Sequence, residues 1–375
     1  MKVKLCDAFD LQMGKTPARN DLSLWNGEHK WISIGDIGNA GKYIVDTKEC
    51  ISDDGVAKSG IKIVPKGTVI MSFKLSIGKV SITAEDMYTN EAIMAFIDKK
   101  KYPIDTTYLY YLLSGTDWLE GSNKAVMGLT LNKATLSQKT ISIPSLDEQR
   151  YAANVLDKVS ELIVLRKHQL NKLDELVKAR FVEIFGDPIL NQKQFPLYTV
   201  EDIIEFQGGS QPDKKFFEYE KTDNNIRLIQ IRDYKSDRYV TYIPKSMAKR
   251  FCTADDIMIG RYGPPIFQIL QGIEGSFNVA LMKAIPKKGN KEFIRHFLKQ
   301  ECLLHYLEGL SQRTAGQDGI QMDKLKSYPF PFPPIDLQEQ FAAFVKQIDK
   351  SRLTIQQGLD KLEMMKKALM QRYFG

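Results

Sequence analysis

The second half of the chain carries side chains suited to reading nucleic-acid bases. Residues 188–334 contain seven arginines, whereas residues 1–144 contain 17 lysines and a single arginine, Arg19. A guanidinium can donate two parallel hydrogen bonds to O6 and N7 of guanine, while an ammonium more often meets phosphate as a point charge. We therefore interpret both halves as candidate nucleic-acid-binding regions. The candidates of the second half are Lys214, Lys215, Arg227, Arg232, Arg238, Arg261, Tyr262, Gln268, Arg313 and Gln317, and those of the first half are Lys15, Arg19, Lys30, Lys74, Lys79 and Lys124.

A structural use of the same arginines is an open alternative. Asp233, Asp237, Asp255 and Asp256 lie close to several of them in sequence and are able to form ion pairs with them. The net charge of +7 is compatible with a nucleic-acid partner but does not require one. Residue type alone therefore nominates these side chains without assigning them a base contact.

The motifs that resemble catalytic signatures are incomplete. The segment MGKTP (Met13–Pro17) contains the GKT of a phosphate-binding loop, but the position that needs the first glycine is Phe9. The segment RYGPPIF (Arg261–Phe267) has Gly263 where the NPPF motif of amino-methyltransferases requires Asn or Asp. The sequence therefore favours a plain turn at the first segment and argues against a methyltransferase active site in this chain.

A metal-dependent nuclease site is also disfavoured. Asp213, Asp233 and Lys235 have residue types that fit such a site, but Asp36, which corresponds to Asp233 in the first half, lacks matching acidic and basic neighbours. The four cysteines and four histidines show no CxxC or HExxH spacing, which predicts reduced thiols and no metal site. With no apolar run near the roughly 18 residues of a membrane span and no export signal, we expect a cytoplasmic protein.

Two long helices are predicted, at residues 148–185 and 339–374. The first segment contains no proline or glycine, and the second has Gly358 as its one weak point. Apolar residues recur in both at alternating steps of three and four, the pattern of a coiled-coil seam. The seam positions are Leu156, Val159, Ile163, Leu170, Leu173, Val177, Ile348, Ile355, Leu359, Leu362 and Leu369.

The start of each helix carries a similar phrase, PSLDEQR (144–150) and PIDLQEQF (334–341). Ser145 with Glu148, and Asp336 with Glu339, have the spacing of a capping box, which predicts that these four residues cap the two helices. The predicted capping residues of the two phrases are 191 residues apart, whereas the helix ends LDELVKARFVEIFG and LEMMKKALMQRYFG are 189 apart, which predicts a small deletion between the copies. Capping leaves Gln149 and Gln340 without a role.

The globular parts repeat as well. DAFDLQMGKTP aligns with DIIEFQGGSQP, WISIGDI with LIQIRDY, and NEAIM with NVALM, so that Gly14 matches Gly209 and Asn90 matches Asn278. A period near 190 residues indicates a domain duplication. The 375 residues are predicted to fold as α+β globules at 1–144 and 188–334, with mainly antiparallel strands, and helical arms at 145–187 and 335–375.

With these repeats in view, the chain resembles the specificity (S) subunit of type I restriction-modification enzymes. IPSLDEQR and PPIDLQEQF leading into the two helices carry the resemblance, supported by WISIGDI, GTVIMSFKLSIGKVSI and GSFNVALMKAIP. The resemblance implies two target-recognition domains separated by two long helices that form an antiparallel coiled coil. The fold is then pseudo-twofold and nearly circular, with the C-terminus returning to the first globule.

The resemblance also implies a function. Each globule would read one half of a split, asymmetric site on double-stranded DNA, and the chain itself would hold no cofactor. Two modification (M) subunits would bring S-adenosylmethionine and methylate adenine, and restriction (R) subunits would bring ATP and Mg. The coiled-coil seam is the expected docking surface for the M subunits, and Gln149 and Gln340 are hypothesised to contact the opposite globule or an M subunit. Two alternatives are a coiled-coil scaffold that joins two protein-binding modules and a fused methyltransferase-nuclease.

Overall fold

A computed structural model of the chain describes residues 1–39, 41–74, 76–118, 131–262, 266–311 and 319–375. The chain divides into two compact units. Unit 1 comprises Met1–His168 and Gln356–Gly375, and unit 2 comprises Gln169–Ile355. Both boundaries fall inside long helices, so each unit is a globule together with parts of two helices. No helix among the described residues is long and apolar enough to cross a membrane.

The first globule is built on a sheet in the order β2-β9-β6-β7-β4, with a second sheet β5-β3-β8 and the pair β1-β10. Neighbouring strands are antiparallel except for β4 with β7 and β3 with β8. The strands are β1 (Lys2–Lys4), β2 (Phe9–Met13), β3 (Trp25–Ile32), β4 (Tyr43–Ile44), β5 (Glu49–Ile51), β6 (Val69–Ser72), β7 (Val80–Thr83), β8 (Tyr88–Thr89), β9 (Ile93–Asp98) and β10 (Thr140–Ser142). The helices are α1 (Leu5–Ala8), α2 (Ile34–Asn39), α3 (Asp53–Ser59), α4 (Thr106–Gly115), α5 (Lys133–Gln138) and the long α6 (Leu146–Phe185).

The second globule repeats this plan, with sheets β12-β19-β16-β17 and β14-β13-β18-β15 and the pair β11-β20. Here one pairing, β13 with β18, is parallel, as is its counterpart β3 with β8 in the first globule. The strands are β11 (Leu197–Thr199), β12 (Ile204–Gly208), β13 (Asn225–Ile229), β14 (Tyr242–Pro244), β15 (Phe251–Cys252), β16 (Ile257–Gly260), β17 (Gln268–Gln271), β18 (Gly275–Phe277), β19 (Leu281–Pro286) and β20 (Pro329–Pro331). The helices are α7 (Val200–Ile203), α8 (Lys291–Leu298), α9 (Glu301–Ser311), α10 (Met322–Lys326) and the long α11 (Ile335–Phe374).

The two long helices run antiparallel within each unit. In unit 1, Lys167 of α6 pairs with Glu363 of α11 at 2.9 Å, and Phe374 at the end of α11 packs on Tyr108 of α4 with 5.3 Å between ring centroids. The predicted return of the C-terminal end to the first globule is thereby confirmed. In unit 2, α6 and α11 are joined by the ion pair Asp174–Arg352 at 2.6 Å and by edge-to-face contacts of Phe181 and Phe185 with Phe341.

The predicted seam lies on the inner side of these helices. Leu156, Val159, Ile163, Val177, Ile348 and Leu359 are buried, and Leu170, Leu173, Ile355, Leu362 and Leu369 are half-buried. In unit 2 the seam continues into an aromatic core, where Phe181 lies edge-on to Phe341 at 5.5 Å and stacks on Phe293 at 5.9 Å. The helices of unit 2 are therefore part of the same core as the globule, and burial of the seam stabilises both.

The helix starts differ from the sequence prediction in one copy. Ser145 and Glu148 form the capping box, since the Ser145 amide donates to Glu148 at 2.9 Å and the Glu148 amide donates to the Ser145 hydroxyl at 3.4 Å. Helix α11, however, begins at Ile335, so Asp336 and Glu339 lie within its first turn and a half and do not cap it. The Asp336 and Glu339 cap is therefore corrected: residues 337 and 338 donate to the carbonyl of Pro334 instead.

The corrected start places α6 and α11 at one offset of 189 residues from end to end, because they begin at Leu146 and Ile335 and end at Phe185 and Phe374. No deletion separates the helix starts from the helix ends. The counterpart of Gln149 is therefore Gln338, and Gln340 is an exposed residue of the next turn. The shared letters of the two phrases misplace the register by two residues.

Gln149 and Gln338 have the same role in the two units. Both are fully buried. The Gln149 side chain accepts the amide of Asp105 at 2.9 Å and donates to the carbonyls of Pro103 and Pro144 at 2.9 and 3.0 Å. Gln338 accepts the amide of Asn290 at 2.8 Å and donates to the carbonyl of residue 333 at 2.7 Å. We name this arrangement the glutamine clasp; it joins each long helix to its own globule. The hypothesised contact of Gln149 with the opposite globule or an M subunit is therefore wrong, and the contact hypothesised for Gln340 stays a prediction.

A groove of about 1010 Å³ in unit 2 separates α8 and α9 from the long helices. His296 lies in it with its ring edge-on to Phe341 at 5.2 Å. Burial lowers the pKa of His296 to about 3. The positive charges of Arg295 in α8, of Lys299 just after α8 and of Arg352 in α11 lower it further, while Asp174 of α6 opposes the shift. The imidazole is therefore neutral in the folded unit at neutral pH.

Acid is predicted to destabilise unit 2 through His296. Since the folded-state pKa is about 3 against an ordinary value of 6.5, the unfolded chain binds this proton first. The contribution of His296 to the free energy of unfolding is complete above pH 6.5. It is lost as pH falls towards 3, by at most about 1.4 kcal/mol per pH unit. Urea unfolding at pH 7.0, 6.0 and 5.0 measures this loss. The His296→Gln variant should show a smaller pH slope, and equal slopes would refute the assignment.

Candidate nucleic-acid interface

The same turn follows the first sheet strand in both units. The amide of Gly14 donates to the carbonyl of Ile93, and in unit 2 the amide of Gly209 donates to that of Leu281 at 3.1 Å. A Cβ atom on Gly14 would overlap the carbonyl oxygen of Thr89, and one on Gly209 would overlap that of Asn278. Glycine is therefore required at both positions because two backbone segments meet there. The following loop, residues 15–24 or 210–224, begins where β2 or β12 ends. We use the word edge for this side of each sheet, which is formed by the ends of β2 and β6 in unit 1 and of β12 and β16 in unit 2.

The MGKTP segment uses its polar groups within unit 1. The Lys15 ammonium donates to the carbonyl of Ser59 at 3.0 Å, and the Thr16 hydroxyl donates to Glu91. No helix begins at this turn, because the chain continues through a 3₁₀ turn at 22–24 into β3. These contacts are those of a structural turn and differ from a phosphate loop, whose amides open onto a ligand at a helix start.

The matched acidic residues are backbone caps. A carboxylate oxygen of Asp36 accepts the Ser33 amide at 2.8 Å, and its other oxygen accepts the Lys48 amide at 3.2 Å. A carboxylate oxygen of Asp233 accepts the Gln230 amide at 3.3 Å. Each cap begins a short helical turn next to the sheet edge, which explains why Asp36 and Asp233 match in sequence without a metal. Among the described residues no His, Cys, Asp and Glu group could hold a metal ion.

Unit 2 brings four of the predicted residues together at this edge. Arg261 and Tyr262 follow β16, and the Arg261 guanidinium carbon lies 5.3 Å from the centroid of the Tyr262 ring. Gln268 begins β17 and pairs with Gly260 at the end of β16. A Cβ on Gly260 would lie 2.7 Å from the side chain of Ile231, so Arg232, the next residue, extends from the neighbouring element. We name Arg232, Arg261, Tyr262 and Gln268 the arginine patch.

Arg227 serves a different purpose. Its guanidinium donates to Asp233 at 3.3 Å and to Asp237 at 2.8 Å. Asp233 is buried, and burial raises its pKa against the opposing effects of the Gln230 amide and of Arg227. Arg227 therefore neutralises a buried carboxylate and ties two short turns together, as the structural alternative anticipated for some arginines.

The remaining candidates of unit 2 are dispersed. The Arg238 guanidinium carbon lies 5.2 Å from the centroid of the Tyr239 ring. Lys215 lies 3.6 Å from Asp213, and Lys214 is exposed. Arg313 and Gln317 lie outside the described residues.

Unit 1 presents a different surface at the corresponding edge. The Arg19 guanidinium carbon lies 4.0 Å from the centroid of the Trp25 ring and 4.9 Å from that of Trp31, and Arg19 also pairs with Glu49. This stacked platform was not foreseen, although two tryptophans six residues apart beside a lone arginine are a usable signal. The Arg19 side chain is nevertheless 53% exposed.

The lysines of unit 1 divide between internal contacts and the sheet edge. Lys30 donates to the carbonyl of residue 45 at 2.7 Å and to Glu85 at 2.5 Å, and the Glu85 hydrogen bond raises the pKa of Lys30. Lys74 and Lys79 lie in the hairpin between β6 and β7, where Lys79 reaches the side of α2 near Gly38. Lys124 lies outside the described residues. Lys74 and Lys79 therefore correspond in position to Tyr262 and Gln268 of the arginine patch.

The comparisons with known proteins agree with the duplication. The family model of the type I restriction modification DNA specificity domain matches residues 1–175 and again residues 193–364. The MjaIX specificity subunit of Methanocaldococcus jannaschii is 27% identical over 273 residues, which is 63% of this chain and 63% of that relative. The MjaVIII specificity subunit of the same organism is 20% identical over 84% of this chain and 82% of its own length.

Solved structures show a similar fold. The S subunit of a type I restriction-modification system from M. genitalium superposes with a TM-score of 0.56 at 16% identity, over 100% of this chain and 96% of that one. A chain from a structure that describes complex assembly and conformational transition of the type I R-M system gives a TM-score of 0.54, also at 16% identity, over 100% of this chain and 97% of that chain.

Proposed function

The chain belongs to the family of type I restriction modification DNA specificity domains, and from that premise we propose that it is the DNA-recognition subunit of a type I restriction-modification complex. The observation that carries the proposal is the duplicated edge. Both units build the same glycine turn, aspartate cap and hairpin, and the two edges then carry different side chains. Each unit reads one half of a bipartite site on double-stranded DNA, and the halves differ in sequence.

The chain acts without chemistry of its own in this proposal. Two M subunits hold S-adenosylmethionine and methylate adenine N6, and R subunits use ATP and Mg to translocate and cleave DNA. The chain positions these partners on the site that it reads. The incomplete catalytic motifs of the sequence and the structural roles of Asp36 and Asp233 support this division of labour, and the solved relative whose description names complex assembly supports the existence of partners.

The docking surface for an M subunit is the outer face of the helices. Six of the eleven seam residues are buried and the other five are half-buried, so the seam offers little apolar surface to a partner. In unit 1, Tyr151, Leu162 and Leu165 of α6 are 65%, 46% and 56% exposed. Their spacing of eleven and three residues places them on one side of the helix. An apolar stripe of this kind on an exposed helix fits the core of a protein interface.

Leu165→Glu is predicted to weaken assembly with M subunits by at least tenfold, because a carboxylate would be buried in an apolar contact. The free energy of unfolding of the isolated chain should change by no more than about 0.5 kcal/mol, since the residue is exposed. Titration of labelled chain with purified M subunit measures the first quantity. Leu22→Glu, at a leucine that is 77% exposed in the first globule, is the matched control and should assemble normally.

Methylome sequencing of cells that express this chain with its M subunits tests the function. The expected result is methylated adenine within a bipartite motif whose two halves differ and are separated by unread bases. A continuous or palindromic motif would contradict the proposed division between the units. No motif at all, from a complex shown to be assembled, would refute DNA recognition.

A further inference from the structure

The duplicated scaffold allows the two edges to be compared position by position. The amide of Phe73 donates to the carbonyl of Ala92 at 3.0 Å, and the amide of Arg261 donates to that of Ala280 at 2.9 Å. Both residues directly follow the strands β6 and β16. Phe73 and Arg261 therefore occupy the same backbone position. Phe73 is buried, whereas unit 2 places a guanidinium at this point of the edge.

Arg232, the second arginine of the patch, also has a counterpart in unit 1 that carries no guanidinium. Because Asp36 and Asp233 cap equivalent turns, the residues before them, Gly35 and Arg232, are counterparts. Gly35 presents no side chain. Arg232 is exposed and donates to the hydroxyl of the buried Thr241 at 3.0 Å, which orients its guanidinium.

Arg232 and Arg261 differ from other arginines of unit 2 in their salt bridges. Arg180, Arg227, Arg295 and Arg352 each form an ion pair with a carboxylate. Within the described residues, no salt bridge is formed by Arg232 or by Arg261. The pairing alternative therefore applies to the first group and leaves the patch arginines available to a ligand.

The patch is also preorganised. The contact of Gly260 with Ile231 keeps the elements that carry Arg261 and Arg232 together. Tyr262 is 42% exposed and its ring lies beside the Arg261 guanidinium, while residue 262 bridges to Gly319. Stacking on an aromatic ring restricts the plane of a guanidinium, so less conformational entropy is lost when it forms two parallel hydrogen bonds.

We infer that Arg261 and Arg232 are the base-reading pair of unit 2 and that the half-site read by this unit contains guanine at the positions they contact. The inference rests on the proposed function. A planar pair of N–H donors matches O6 and N7 of guanine in the major groove, and a bidentate contact of this kind discriminates against other bases by roughly 5- to 150-fold. The corresponding edge of unit 1, with Phe73 and Gly35, lacks this pair and reads its half-site by other contacts.

The test uses the assembled complex of the chain with its M subunits and measures adenine methylation on a library of DNA duplexes with both half-sites randomised. For Arg261→Gln and Arg232→Gln we expect the preference for guanine to fall roughly 5- to 150-fold at one position each, with the other half-site unchanged. Arg261→Lys keeps the charge and is expected to lose the same preference while retaining more overall affinity than Arg261→Gln. Arg150→Gln, at an exposed arginine of α6, removes the same charge and should leave the motif unchanged.

The outcomes distinguish the two levels of the proposal. If the native complex methylates a bipartite motif but the Arg261 and Arg232 variants recognise the same bases as the native chain, the inference is overturned and the proposed function stands. If neither half-site of the native motif contains a G·C pair, the inference is likewise overturned. If the native complex methylates without any sequence preference, the proposed function fails and the inference fails with it.

Discussion

Replacement of Gln338 by leucine is expected to lower the free energy of unfolding of unit 2 by about 2–5 kcal/mol. The side chain is fully buried and satisfies the amide of Asn290 and the carbonyl of residue 333. Leucine fills a similar volume but leaves both backbone groups without a partner, and each such group costs about 1–3 kcal/mol. Urea unfolding measures the change, and the amide of Asn290 should lose its protection from hydrogen exchange.

Gln340→Leu provides a control two residues further along the same helix. Gln340 is exposed, so the same substitution should change the free energy of unfolding by no more than about 0.5 kcal/mol. The repeated phrase aligns Gln340 with Gln149, whereas the structure aligns Gln338 with Gln149. Gln149→Leu should therefore destabilise unit 1 as Gln338→Leu destabilises unit 2. Equal effects at 338 and 340 would refute the glutamine clasp.

Gly209→Ala is expected to disable recognition by unit 2. The added Cβ would overlap the backbone carbonyl of Asn278. Both groups belong to the backbone next to the ends of β12 and β18, so no side-chain rotation can relieve the overlap. The end of β12 must move, which should cost about 1–3 kcal/mol of unfolding free energy. It should also displace the loop that follows, since its first hydrogen bond, from Ser210 to the carbonyl of Phe277 at 3.0 Å, depends on this approach.

The neighbouring glycine is the matched control for that experiment. A Cβ on Gly208 would meet only the Arg261 guanidinium, at 4.0 Å, which is an ordinary contact. Gly208→Ala should therefore keep native unfolding and native methylation of the bipartite site. For Gly209→Ala, we expect weaker methylation wherever the unit 2 half-site is required. Native stability and native methylation in Gly209→Ala would show that the backbone approach is dispensable.

Local patterns were sufficient for much of the architecture. The heptad seam and the absence of proline and glycine predicted α6, because helix formation and the burial of one helix face follow from sequence spacing. The three short phrases around Gly14, Asp36 and Asn90 predicted the duplication, and the structure assigns each of them a backbone contact that both units repeat. Backbone contacts of this kind demand particular residues, so they remain visible in sequence.

The helix starts show where local patterns fail. A capping box requires only two residue types three positions apart, so the spacing of Asp336 and Glu339 arises easily inside a first helical turn. Helix α11 begins at Ile335, directly after Pro334. The buried residue that matches Gln149 is Gln338, two residues before Gln340. Burial depends on Asn290, which is 48 residues away in the chain, and no short segment contains that information.

Two related α+β globules joined to two long helices are predictable from sequence patterns, because helix spacing, capping and close backbone approach are set by neighbouring residues. Which arginines pair with carboxylates of the fold and which do not becomes known only from the folded chain. Arg227 and Arg232 differ by five positions and have the same chemistry, yet one neutralises the buried Asp233 and the other forms no salt bridge among the described residues. That difference depends on which carboxylates the fold brings within reach, and charge pairing across space has no period in the sequence.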